Sequence, residues 1–270
     1  MPMAKARADQ DVHQEDIQYR VYMSDIDPSR RLRSRNASIS QPTGQHPHFI
    51  EAVIEKRIEC RFLVHVPADV ASRELWPVLV FLHGIGEGGR DLDLLKIHGP
   101  PMIANVDPEF PFIVVCPQAE KEQNFEIDVL NATLDMVLGD LPADPSRVYL
   151  TGLSSGGIWT WAWASRNPER FAAIAPVCAR WRPADADRLA EIPVWAFHGE
   201  KDDQTLPDHA REMVDAVNKA GGSAKLTLYR NGNHNAWSET YANPELYEWF
   251  LSHSKQHVTA SESAVHIHKS

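Results

Sequence analysis

The chain has 270 residues, 43% of them hydrophobic, which is length and apolar content for one large domain with extensions. Its formal net charge of −10, from 27 Lys and Arg against 37 Asp and Glu, excludes a general nucleic-acid binder, because phosphate neutralisation needs clustered cations. No apolar run is long enough to span a bilayer.

In chain order, residues 1–48 are charged and mostly aperiodic and are expected to form a disordered or loosely attached extension, with one stray strand in "IQYRVY" (17–22). The basic run Arg30, Arg31, Arg33 and Arg35 has no interleaved aromatic residue and reads as solvated chain. The opening residues lack the apolar h-region of a secretory leader, so the expected setting is soluble, reduced and cytoplasmic. Cys60, Cys116 and Cys178 are far apart in the sequence, which supports neither a zinc site nor a disulfide framework; they read as buried thiols on strands.

Residues 49–252 form the expected main domain. Residues 57–67 alternate like a strand. Residues 77–84 and 111–117 are nearly continuous apolar runs, as buried parallel strands require. Residues 124–141 carry apolar residues at helical spacing. A third buried strand covers 146–152, followed by a helix that Pro168 stops. Strands at 171–178 and 192–199, a helix over 207–222, a strand at 224–230 and a helix at 243–252 complete the pattern. Strands alternating with helices imply βαβ units: an α/β fold with a mostly parallel sheet and helices on both faces. Residues 253–270 are polar and read as a tail; its His253, His257, His266 and His268 lack a carboxylate or Cys at fixed spacing, so no metal site is expected.

In such sheets the functional loops follow the carboxyl ends of the strands. Gly84, Gly86 and Gly89 in "HGIGEGG" fit both a dinucleotide loop and a loop that offers backbone N–H groups to an oxyanion. The dinucleotide reading needs an acid ending the next strand, whereas Asp107 and Glu109 precede the 111–117 strand. The oxyanion reading needs only an amide just after the strand, that of Ile85. After the 146–152 strand comes Gly152-Leu153-Ser154-Ser155-Gly156, a G-x-S-x-G at a strand-to-helix junction. Ser154 is the candidate nucleophile, its flanking glycines required because a Cβ there would clash with neighbouring elements, and Ser155 the second oxyanion amide. A serine hydroxyl needs a base, and His234 in "RNGNHNAW" lies after the last core strand. His83 and His198 end strands and read as packed beneath their loops; His98 precedes the nucleophile. Asp202 or Asp203 after the 192–199 strand would hold the base in its tautomer, giving the chain order Ser, Asp, His.

Taken together, "FLHGIGEGGRD", "CPQ", "SRVYLTGLSSGG", "RFAAIAPVC", "PVWAFHGEKDD" and "GNHNAW" make residues 56–252 resemble the α/β-hydrolase superfamily, in its phospholipase/carboxylesterase-like branch of serine esterases that includes predicted peptidases. The resemblance implies a Ser154–His234–Asp202 triad, with Asp203 the alternative acid, and the Ile85 and Ser155 amides as oxyanion hole. Only "ARWRPADADRLAE" follows the strand where many members carry a cap, so no large cap and an open site are expected. Trp181 and Trp237 are candidate substrate-lining residues; Trp159, Trp161 and Trp163 are expected in the core, and Glu87 and Arg90 in a loop-holding ion pair. The expected activity is carboxylic ester hydrolysis through an acyl-enzyme, on a small-molecule or polymer-borne ester, with no cofactor, metal, nucleic acid or membrane partner. The rivals are a peptidase or amidase with the same triad and a non-catalytic binding protein.

Overall fold

The computed structural model describes residues 57–255 and, upstream, the backbone of two strands, β1 (Gln18–Val21) and β2 (Ala52–Glu55). The other expectations for residues 1–56, and those for 256–270 with His257, His266 and His268, lie outside the described residues. The chain divides into a unit over 1–59 and one over 60–270. In the first, β1 and β2 form an antiparallel ladder with Gln18 opposite Glu55 and Val21 opposite Ala52. The stray strand expected in 17–22 therefore has a mate.

The second unit is built on a seven-stranded sheet of β3 (Arg61–His65), β4 (Trp76–Leu82), β5 (Ile113–Gln118), β6 (Ala143–Leu153), β7 (Ala173–Val177), β8 (Val194–Gly199) and β9 (Ala224–Tyr229). The spatial order is β3-β5-β4-β6-β7-β8-β9. Only β3 runs antiparallel to its neighbour; every other pair is parallel. Central strands are buried on both faces and alternate between two cores. Val78, Val80 and Leu82 of β4 point to one core and Leu79 and Phe81 to the other. The first core is closed by α2 (Ile127–Asp140), α3 (Ser155–Arg166) and α4 (Asp208–Lys219), the second by α1 (Gly99–Val106), α5 (Trp237–Ala242) and α6 (Pro244–Leu251). Helices on both faces are what bury the continuous apolar runs of the strands.

The chain lays β5 on one side of β4 and β6 on the other. This reversal opens a crevice at the carboxyl ends of β4 and β6, the place such sheets reserve for a site. Between β7 and β8 lies one short 3-10 helix, Pro183–Leu189, and no cap. Residues 253–255, polar and read as tail, are bound to the body. The Tyr149 hydroxyl donates to His253 O at 2.8 Å, and Lys255 N donates to Ser146 O at 2.8 Å. No helix among the described residues is long and apolar enough to cross a membrane.

Candidate active site

The turn from β6 into α3 sets Ser154 at φ 52°, ψ −114°, a left-handed conformation that costs a non-glycine residue on the order of 1–3 kcal/mol. The turn is fixed from both sides. Ser154 N–H donates to Val177 O at 2.9 Å, and the neighbouring glycines have no room for a side chain. A Cβ on Gly156 would sit 1.9 Å from Leu82 O, and one on Gly152 would sit 2.5 Å from the Gly156 backbone. So α3 runs hard against the end of β4, and the hydroxyl is thrown out at the crevice.

His234 lies in the turn after β9. The loops after β8 and β9 are stitched together: Glu200 N donates to Tyr229 O at 3.0 Å and Lys201 N to Gly232 O at 2.8 Å. That stitching brings Asp202 and His234 together from 32 residues apart. Ser154 Oγ lies 2.9 Å from His234 Nε2, and His234 Nδ1 lies 2.8 Å from Asp202 Oδ2. A carboxylate only accepts, so Nδ1 carries the hydrogen and Nε2 is left to accept the serine proton. Asp202 is buried, 3% exposed, and its Oδ1 accepts from the Gln204 and Thr205 amides at 2.9 Å each. Burial pushes this carboxyl up, but the Thr205 amide, the His234 ring and the Gln204 amide outweigh it and hold it below the ordinary carboxylate range. Asp203, the alternative acid, is exposed.

The loop after β4 places Gly84 in extended backbone and Ile85 at the start of a 3-10 turn, Ile85–Glu87, with the Ile85 side chain 69% exposed. Ser155 opens α3, where the first amides of a helix have no intrahelical acceptor. The Ile85 and Ser155 amides thus begin turns on either side of the crevice. Two residues brace the β4 loop from within. His83 Nε2 accepts from Ala119 N at 3.0 Å, which leaves Nδ1 to donate to Gly84 O at 2.5 Å. Gln118 Nε2 donates to Glu87 O at 2.9 Å and Asp91 O at 2.8 Å. The brace of Gln118 had no local signal, since its acceptors lie 31 and 27 residues away in sequence.

Other expectations fare differently. Glu87 and Arg90 do not pair: Arg90 turns outward to Glu120 at 3.3 Å, while Glu87 is buried with Oε1 3.8 Å from His98 Nε2. The turn bends Glu87 inward and leaves Arg90 on the exposed side. Trp237 stands edge-on to His234, centroids 5.5 Å apart, and also meets His98 at 5.8 Å. Trp181 packs against the α2–α3–α4 core with the Arg182 guanidinium 5.0 Å from its ring. Trp161 and Trp163 are core residues, and Trp159 is half-buried beside Phe125. Cys116 and Cys178 are buried, but Cys60 is only half-buried. Among the described residues one group has ligand spacing for a metal, Cys178, Asp202 and His234, whose donor atoms lie within 4.8 Å of one another. Asp202 and His234 are already committed to each other, and burial pushes the Cys178 thiol up to about 12, so the set reads as a hydrogen-bonded pair beside a buried thiol.

Residues 115–264 match the Dienelactone hydrolase family, within the α/β-hydrolase superfamily. The chain is 25% identical over 169 residues to "Putative esterase NocK" of Nocardia uniformis subsp. tsuyamanensis, covering 56% of this chain and 47% of that protein. It is 25% identical over 100 residues to "Putative carboxymethylenebutenolidase" of Escherichia coli (strain K12), covering 34% of this chain and 37% of that one. The chain thus spans less than half the length of these curated relatives. Among solved structures, a thermostable esterase superposes with TM-score 0.62 at 25% identity over 89% of this chain and 64% of that one. The Pyrococcus horikoshii acylaminoacyl peptidase shares the fold, with TM-score 0.57 at 15% identity over 76% of this chain and 41% of that one.

Proposed function

Because the chain belongs to the dienelactone hydrolase family of α/β-hydrolases, we propose that it is a serine hydrolase that cleaves carboxylic esters through an acyl-enzyme on Ser154. The observation that carries the proposal is the continuous relay from Ser154 Oγ to His234 Nε2 at 2.9 Å and from His234 Nδ1 to Asp202 Oδ2 at 2.8 Å. His234 takes the Ser154 proton as Oγ attacks the ester carbonyl. Asp202 holds the ring in the required tautomer and stabilises the imidazolium. The negative charge that develops on the carbonyl oxygen is met by the Ile85 and Ser155 amides, each such donor contributing roughly 3–4 kcal/mol. The imidazolium then protonates the departing alkoxide. A water deprotonated by His234 attacks the acyl-enzyme and releases the acid, restoring Ser154. Trp237, edge-on to His234, is placed to line the substrate beside the base.

A peptidase or amidase would use the same relay, and esters are the proposed substrates because their leaving group departs more readily. The test is labelling with a fluorophosphonate, the modified peptide mapped by mass spectrometry. Adduct on Ser154 that is lost in His234→Ala, with turnover of p-nitrophenyl acetate outrunning that of the matched anilide, is the expected result. Folded protein that takes up no probe would overturn the proposal, and faster anilide turnover would replace the ester by the amide.

A further inference from the structure

His198 is the next-to-last residue of β8, and its side chain is fully buried. Its Nε2 lies 2.8 Å from Thr205 O and 3.1 Å from Asp202 Oδ2. Both neighbours are acceptors, so Nε2 carries the hydrogen, which is bonded to Thr205 O and lies against Asp202 Oδ2. Burial pushes the imidazole below its ordinary value, against the opposing pull of the Thr205 carbonyl and Asp202, so the ring is neutral near pH 7. Its Nδ1 is buried without a hydrogen-bond partner. The ring can therefore hand a hydrogen bond to the acid and has no onward route for a proton.

The consequence is that Asp202 is held by three hydrogen bonds and faces a fourth polar hydrogen. Oδ1 takes the Gln204 and Thr205 amides, and Oδ2 takes His234 Nδ1, with His198 Nε2 beside it at 3.1 Å. Thr205 is tied at both ends, its N–H to Asp202 and its carbonyl to His198. A carboxylate with only the two amides on Oδ1 keeps freedom to turn about its Cβ–Cγ bond, and Oδ2 can then leave the line of His234 Nδ1. We propose that His198 is a positioning residue, whose Nε2–H locks the Asp202 carboxylate plane toward His234 and completes the turn that carries it. The inference rests on the ester-hydrolase reading above and deepens it by adding a second histidine to the acid.

The experiment compares His198→Phe, which keeps the ring bulk and removes the donor, with His198→Gln, whose amide reaches the place of Nε2. On p-nitrophenyl acetate, kcat is expected to fall on the order of tenfold in the Phe variant with KM little changed, since a misaligned acid weakens the base and leaves the carbonyl site intact. The Gln variant should recover most of that loss. The far-downfield proton resonance of His234 Nδ1–H should broaden or move in the Phe variant and persist in the Gln variant. A Phe variant with wild-type kcat and an unmoved resonance overturns the proposal, as do equal losses in both variants with the resonance intact, which would mean packing alone. If the Phe variant does not fold, nitrogen NMR of the wild-type protein decides. An Nε2–H neutral tautomer at His198 is required, and an Nδ1–H tautomer or a charged ring overturns it. Wild-type protein that takes no fluorophosphonate on Ser154 sinks the hydrolase reading, while the tautomer and the resonance still report separately on the His198–Asp202 bond.

Discussion

Adjacent acids can differ completely in what they are able to do, and the Asp202–Asp203 pair turns on a single step of the chain. Asp202 folds back over its own turn, so the Gln204 and Thr205 amides meet one oxygen and the other is free for His234. Asp203 follows on the outside of that turn, exposed. Local spacing leaves both open and only the family resemblance favours Asp202, because the direction of the turn is set by loop stitching to residues some thirty positions later, at Tyr229 and Gly232. Ser154 and His234, by contrast, were legible, one from its glycine frame and the other from being the histidine past the last core strand. We predict that Asp202→Asn lowers kcat by roughly 10⁴, because an amide presents a donor to Nδ1 and favours the wrong tautomer. Asp203→Asn should change kcat by less than about twofold. Steady-state kinetics on one activated ester separates the two, and a large loss in the Asp203 variant would reassign the acid.

At the scale of elements, the β6–α3 junction is the part of the fold least able to absorb change. Gly156 sits where α3 crosses the end of β4, and a methyl there would have to displace a strand carbonyl 1.9 Å away. Backbone cannot retreat as a flexible side chain would. We expect Gly156→Ala to yield little folded protein, seen as loss of the cooperative thermal transition. Gly139, in the last turn of α2, is exposed and has nothing within 4 Å of an added Cβ. Gly139→Ala should therefore stabilise, by up to about 1 kcal/mol, through lower unfolded-chain entropy and better helix propensity. The buried strands were readable because both faces are covered and their apolar runs are continuous. The helix α1 was not, since Gly99, Pro100 and Pro101 look like a breaker; proline is tolerated in a first turn, where its missing N–H has no acceptor to lose. The β1–β2 pairing was equally hidden, because the partner of a lone short strand leaves no local trace.

Across the whole molecule the site is assembled from loops after β4, β6, β8 and β9, and what the sequence could not show is what ties those loops to the body. Two of the ties are buried histidines: His83 under the β4 loop and His198 under the acid. Burial lowers the proton affinity of both, and of His65 on the edge strand, despite neighbours that pull the other way. Each is bound to backbone as a neutral ring; a proton on His83 Nε2 would break the bond from Ala119 N. In the unfolded chain a histidine titrates near ~6.5. Below that value the unfolded state binds protons that the folded state refuses, so stability falls as the pH drops. Asp202 adds a second step of the same sign further down. Its carboxyl is held below the ordinary value of ~3.9, so its contribution is present above that pH and is lost as the pH falls through the folded value. The melting temperature should therefore decline on acidification in two stages, one setting in near pH ~6.5 and one below pH ~4. His83→Gln should flatten the first stage and Asp202→Asn the second. A melting temperature constant from pH 7 to pH 5 would mean that these rings take up protons in the folded state as readily as in the unfolded chain, and that the β4 loop is not held by a neutral His83.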